Sequence, residues 1–218
     1  MNASILCFVP FLCYWGFCGI LELFPKKIVK DNLTNLNTVE PKKVFIDVLY
    51  VTLLATLGNF ALYYFNLLNI DKFRIFYVFL GIWWIDTVEY FVHFIMHRVP
   101  TFYRTIHKEH HRLHIPYHYG ALYNSSYEAG ITGNILTIGF VLFGFSFYEF
   151  ILVTSLANIA TILDHIDLNE YIHPESVFFK IISKNKFHYL HHSKYPHYNF
   201  QQPFFTYYDR LFGTYKVE

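Results

Sequence analysis

Four apolar stretches long enough to cross a lipid bilayer constrain this chain more than any other feature. Ile5 to Phe24, Val44 to Leu68 and Ile75 to Met96 each offer about one membrane thickness of helix, for which roughly 20 residues are needed. Ala129 to Leu163 is longer, and Gly144-Phe145-Ser146 divides it into two short helices that enter and leave on one side. Asp47 and Asn59 interrupt the second stretch, and Asp86, Glu89 and His93 enter the third. The expected fold is therefore all-α: an integral membrane bundle of about four spanning helices or hairpins.

Composition agrees with a membrane setting. The 218 residues are 54% hydrophobic and only 15% charged, against about 25% charged in soluble domains. The net charge of +1 gives nucleic acid nothing to attract. Cys7, Cys13 and Cys18 all lie in the first apolar stretch, where they read as small apolar side chains and not as a disulfide framework or zinc site. No positive charge precedes that stretch, whereas Lys26, Lys27 and Lys30 follow it; the pattern predicts an uncleaved anchor.

Loop charges predict the orientation. The linker from Pro25 to Lys43 carries five lysines, which places it in the cytosol. The second stretch then runs outward, Asn69–Arg74 turns on the far side, and the third stretch returns. His97, Arg98, Arg104, His107, Lys108 and Arg112 follow on the cytosolic face. The hairpin starts and ends there too, bringing His165 and His188–His192 to the same side.

Eight of the thirteen histidines fall into three boxes: His93-x3-His97, His107-x2-His110-His111 and His188-x2-His191-His192. Spacings of three and four stack side chains on one helix face. Eight imidazoles exceed what one ion accepts, so the boxes predict two metal ions. Asp86, Tyr90, His93 and His97 form one helical stripe, with Asp86 or Glu89 as an acceptor that fixes an imidazole tautomer. His165, beside Asp164, is a ninth candidate ligand. A polar interhelical pair, or a cationic surface for lipid headgroups, explains single histidines but not the repeated spacing. His114, His118, His173 and His197 lack the spacing, and the lone Glu170-x2-His173 element is read as chance. Zinc supports hydrolysis but not oxygen chemistry, whereas two irons activate O2 against an unactivated C–H bond. A non-catalytic metal reservoir and a zinc-dependent membrane hydrolase are the rivals of other classes.

These boxes, in this order around a hairpin, resemble the membrane fatty acid hydroxylase and sterol desaturase superfamily. The likeness covers about residues 80–216 and includes Asp86…His93-x3-His97, Asp164-His165 and Asp209-Arg210-Leu211-Phe212-Gly213-Thr214-Tyr215. Within it, the chain looks most like sphinganine (dihydroceramide) C4-hydroxylases through three stretches. These are His110-His111-Arg112-Leu113-His114-Ile115-Pro116-Tyr117, Gly120-Ala121-Leu122-Tyr123-Asn124 with Glu128, and Asn199-Phe200-Gln201-Gln202-Pro203-Phe204-Phe205-Thr206. Ser125-Ser126, Leu163 and Ile166-Asp167 depart from that pattern.

The resemblance implies membrane anchor helices over 1–74 and a catalytic domain over 75–218. It implies a di-iron monooxygenase of the endoplasmic reticulum membrane that uses O2 and electrons from cytochrome b5 and its reductase. The metal ligands it implies are His93, His97, His107, His110, His111, His165, His188, His191 and His192. Asp86, Glu128 and Asp164 orient rings or substrate, and Tyr117, Tyr123 and Phe204 line the lipid channel. The expected reaction is C4 hydroxylation of a sphingoid base. A sterol C5-desaturase or C4-methyl oxidase is the enzymatic alternative.

Overall fold

The computed structural model describes residues 3–23, 37–70, 72–166 and 185–216, and the elements it contains there are helical apart from one isolated bridge, Asn69 to Ser146. A 3-10 turn, Ala3–Phe8, leads into α1 (Val9–Leu21). Three longer helices follow: α2 (Pro41–Tyr64), α3 (Ile75–Arg98) and, after the break in the fourth stretch, α6 (Phe147–Asp164). Ser4–Leu21, Pro41–Tyr64, Ile75–Arg98 and Phe147–Asp164 are long and apolar enough to cross a membrane. At 1.5 Å per residue, a helix the length of α3 reaches about 36 Å, enough for a bilayer core of about 30 Å. The fourth stretch is the expected hairpin. Its first arm, α5 (Ser126–Leu142), joins α6 through a turn in which Gly144 adopts φ 69°, a left-handed conformation that glycine takes at little cost.

Lipid in place of water inverts the usual surface pattern. Leu12, Leu57, Phe76, Phe79 and Leu142 point outward, while small and polar groups lie between helices. Thr52 accepts a hydrogen bond from Trp15 Nε1 at 3.1 Å, and Asn59 donates to the carbonyl of Cys7 at 3.1 Å, joining α2 to the amino-terminal helix. Each polar group thereby finds a partner where water is absent. The helix α6 packs along both α1 and α3, and α3 also packs on α5. Gly139 of α5 lets the Trp84 indole lie against the backbone, with Nε1 donating to the Leu136 carbonyl at 3.1 Å; a Cβ at Gly139 would sit 2.2 Å from that ring. Both apolar cores draw on residues before and after position 74: Cys7 and Leu62 meet Val78 and Phe147, and Tyr14 and Val44 meet Leu113 and Ile162.

The two ends of the bundle differ. At one end the α2–α3 turn meets the hairpin tip: Phe147 N donates to the Asn69 carbonyl at 2.8 Å, and Arg74 pairs with the fully buried Glu149 at 2.8 Å. Glu149 also completes a capping box with Ser146 at the start of α6. At the other end lie α4 (Pro100–Thr105), a 3-10 turn over His107–Arg112, a second over His118–Gly120, α7 (Asn185–Ser193) and α8 (Tyr207–Leu211). All three histidine boxes are at this second end. Residues 24–36, with Lys26, Lys27 and Lys30, and residues 167–184, with Glu170 and His173, lie outside the described residues.

Candidate metal centre

The third helix supplies the floor of the site. Asp86, Tyr90, His93 and His97 fall on one buried stripe of α3, as the four-three-four spacing requires. Above it, the 3-10 turn presents His107, His110 and His111, and α7 presents His188, His191 and His192. The rings meet. Five imidazoles, from His93, His97, His107, His111 and His191, bring nitrogens within 4.8 Å of one another; so do His110, His188 and His192. The two groups abut, since the His111 and His192 rings are 4.7 Å apart and those of His107 and His110 are 5.2 Å apart.

Each His-x2-His-His box is shared between the groups. His107 and His111 join the larger and His110 the smaller, whereas His191 joins the larger and His188 and His192 the smaller. The spacing of both boxes predicts three rings aimed at one point, and neither does this. They split alike, although one is a 3-10 turn and the other an α-helix: the residues four apart share one group, and the histidine at i+3 turns its ring to the other. His165 lies just outside the smaller group, its Nε2 3.1 Å from that of His188.

Outer partners orient the rings. His93 Nδ1 is 2.9 Å from the Phe200 carbonyl, His107 Nδ1 is 2.8 Å from Glu128 Oε1, and His110 Nδ1 is 2.8 Å from the Tyr123 carbonyl. His191 and His165 repeat the pattern with the carbonyls of Tyr198 and Thr161, both at 2.7 Å. A carbonyl oxygen can only accept, so in the four rings that face carbonyls Nδ1 carries the proton, and Glu128 as a carboxylate demands the same of His107. A neutral ring then has a bare lone pair on Nε2, directed inward. Sequence inspection could not have found four of these partners, because they are main-chain carbonyls. One indirect signal exists: Asn199, a residue type that tolerates the left-handed region, adopts φ 63° between Tyr198 and Phe200.

These nitrogens fit metal ions better than they fit each other. His111 Nε2 is 3.0 Å from His97 Nε2 and 3.1 Å from His107 Nε2; with no proton on His107 Nε2 and at most one on His111 Nε2, only one of these two contacts can be a hydrogen bond. Buried nitrogens with no protein partner include His93 Nε2, His191 Nε2 and both nitrogens of His192. Such groups are costly in a dry interior unless something accepts their lone pairs. Burial, and in most cases the neighbouring rings, push the basicity of His107, His110, His111, His188, His191 and His192 down. His165 is pushed down to about 3, chiefly by burial. The rings are therefore neutral at physiological pH, the form that binds metal.

The carboxylates divide. Glu128 holds His107, and Ser125 positions it by capping α5, its Oγ accepting from Glu128 N at 3.2 Å. Asp86 does not fix an imidazole tautomer. It accepts from Gln201 Nε2 at 3.0 Å and from the N–H groups of Phe204 and Phe205 at 3.0 and 2.9 Å, because it faces the loop over 200–206. Asp209, in the carboxy-terminal motif, accepts from Phe200 N, Gln201 N and Thr214 Oγ1, and burial raises it to about 6. Asp164 is buried beside His165. Tyr123 is fully buried in a packed core, not on an open channel. His197 is exposed, and His118 lies 3.0 Å from Glu22. The cysteines are free, and none joins a histidine group among the described residues.

The family model for fatty acid hydroxylases matches residues 78–214, a span that holds both imidazole groups and Glu128. The chain belongs to the fatty acid hydroxylase family. Sphinganine C4-monooxygenase 2 of Arabidopsis thaliana is 41% identical over 133 residues, 60% of this chain and 51% of that protein. Sphingolipid C4-hydroxylase SUR2 of Saccharomyces cerevisiae is 35% identical over 157 residues, 71% of this chain and 43% of that protein. Very-long-chain aldehyde decarbonylase GL1-9 of Oryza sativa subsp. japonica is 36% identical over 132 residues, 59% of this chain and 50% of that protein. The chain spans about half the length of the curated relatives it matches. No solved structure matches it.

Proposed function

We propose that this chain is a di-iron membrane monooxygenase that hydroxylates C4 of a sphingoid base, sphinganine or dihydroceramide, to give a phytosphingosine-type lipid. The observation that carries the reading is the set of inward Nε2 lone pairs in two adjoining groups, joined to the likeness to named C4-hydroxylases. His93, His97, His107, His111 and His191 would hold one iron; His110, His188 and His192, with His165, would hold the other. Bound iron would supply O2 activation, the chemistry that an unactivated C–H bond demands.

The protein's own contribution is orientation and exclusion. Glu128 and the four carbonyls keep Nδ1 protonated, so that Nε2 stays available. Asp86 and Asp209 fasten the 199–206 loop across the rings and shield them from water. One oxygen atom enters the C–H bond and the other leaves as water, so two electrons and two protons must come from outside. Cytochrome b5 and its reductase are the donors in this reading, with the site in the endoplasmic reticulum membrane facing the cytosol. Arg98, Arg104, Lys108 and Lys194 lie near the boxes and suit an acidic partner.

Expression in cells that lack their own C4-hydroxylase tests this reading. Restored 4-hydroxylated bases support it. A changed sterol profile without them favours the desaturase alternative, and consumption of long-chain aldehydes favours the activity named for the rice relative.

A further inference from the structure

Outside the rings, one feature of the cap closes on itself. Glu109 precedes His110 in the 3-10 turn, and its carboxylate accepts from the Tyr123 hydroxyl, from Lys43 Nζ at 3.1 Å and from Arg112 Nη1 at 3.0 Å. Tyr123 in turn offers its main-chain carbonyl to His110 Nδ1 at 2.8 Å. The ring of contacts runs from Glu109 through the peptide bond to His110, across to the Tyr123 carbonyl, and back through the Tyr123 hydroxyl to Glu109. Both ends of the bond that orients His110 are thus tied to one carboxylate.

The tie reaches beyond the family match. Lys43 belongs to α2, and Arg112 Nη2 donates to the Thr38 carbonyl at 2.7 Å, so residues before position 78 brace the second box. The larger imidazole group has acceptors of its own in Phe200, Glu128 and Tyr198. The smaller group has three nitrogens to the larger group's five, so misplacing one ring removes a larger share of its ligands.

We propose that Glu109, Tyr123 and Lys43 are positioning residues for His110, and that they secure the ion of the smaller group selectively. The proposal rests on reading the two groups as metal-binding and deepens it by giving the amino-terminal helix a part in the metal centre. Orientation by an outer partner is typically worth 10–100-fold in metal affinity.

The test uses the full chain in detergent, loaded with cobalt(II), with metal per chain and the rate of release to a chelator as readouts. The wild type should hold two equivalents. Tyr123→Phe keeps the carbonyl but removes the hydroxyl, and Glu109→Gln keeps the shape but removes the charge. Each should release one equivalent about 10-fold faster or more and leave the other unchanged. Lys43→Met, at a half-exposed position, should act in the same direction but less. Unchanged release in all three variants overturns the proposal. So does equal loss of both equivalents alongside a lower unfolding temperature, which is what a general structural role predicts. A wild type that binds both ions yet modifies no lipid would sink the hydroxylase reading and leave this one standing.

Discussion

Glu128 Oε1 lies 2.8 Å from His107 Nδ1, and the two side chains come from segments 21 residues apart that only the fold brings together. The carboxylate fixes the tautomer and raises the donor strength of the opposite nitrogen, which points into the larger imidazole group.

Replacing this carboxylate therefore tests whether the outer shell matters to metal. Glu128→Ala should weaken binding at the larger group by about 10–100-fold, and Glu128→Gln by less, because an amide oxygen still accepts from Nδ1–H. Competition with a chelator of known strength gives the measurement; equal affinity in all three proteins would contradict the assignment.

Ligands should separate cleanly from neighbours. His191→Ala and His110→Ala each remove an inward nitrogen and should lower bound metal and abolish lipid oxidation. His197→Ala removes an exposed ring centred 6.3 Å from that of His97 and should be mild. Comparable losses in the three variants, measured by metal content and product, would mean the groups are misdrawn.

Asp86→Asn should act on stability first. The buried carboxylate accepts three hydrogen bonds, and an amide in its place sets an N–H against at least one donor, at a cost of about 2 kcal/mol or more. The unfolding midpoint in detergent should fall, and metal loss should follow unfolding. A normal midpoint with an empty site would instead make Asp86 part of the metal chemistry.

Acid should weaken the metal-free protein. The folded-state value of His165, about 3, lies below its ordinary 6.5, so between the two the unfolded chain binds a proton that the folded chain refuses. The stabilising contribution is complete above about pH 6.5 and is lost as pH falls toward about 3; the other depressed histidines add in the same direction, and together they outnumber Asp209, whose raised value of about 6 opposes them below that pH. Unfolding midpoints recorded from about pH 8 down to about pH 5 should stay level and then decline. A midpoint that rises in that window would reverse the sign.

Much of this was legible in the chain. Apolar length placed the spans, and the Gly144-Phe145-Ser146 break placed the hairpin, because both depend on composition along a single segment. The α3 stripe was legible for the same reason, since an α-helix turns spacing directly into a face. Sharing of each His-x2-His-His box between two groups was not legible, because spacing within a segment does not reveal which rings of other segments each imidazole meets. Arg74 with Glu149, and Glu109 with Tyr123 and Lys43, were also hidden, since such pairs depend on which helices become neighbours. Main-chain acceptors leave no side-chain signature at all.

Metal quantification of the purified protein, with X-ray absorption at the iron edge, meets the central claim most directly. The account predicts two iron ions per chain in an imidazole-rich shell, both lost when Nε2 donors are removed from both groups together. A single ion, a redox-inert metal in active protein, or a shell without imidazole nitrogen would contradict it.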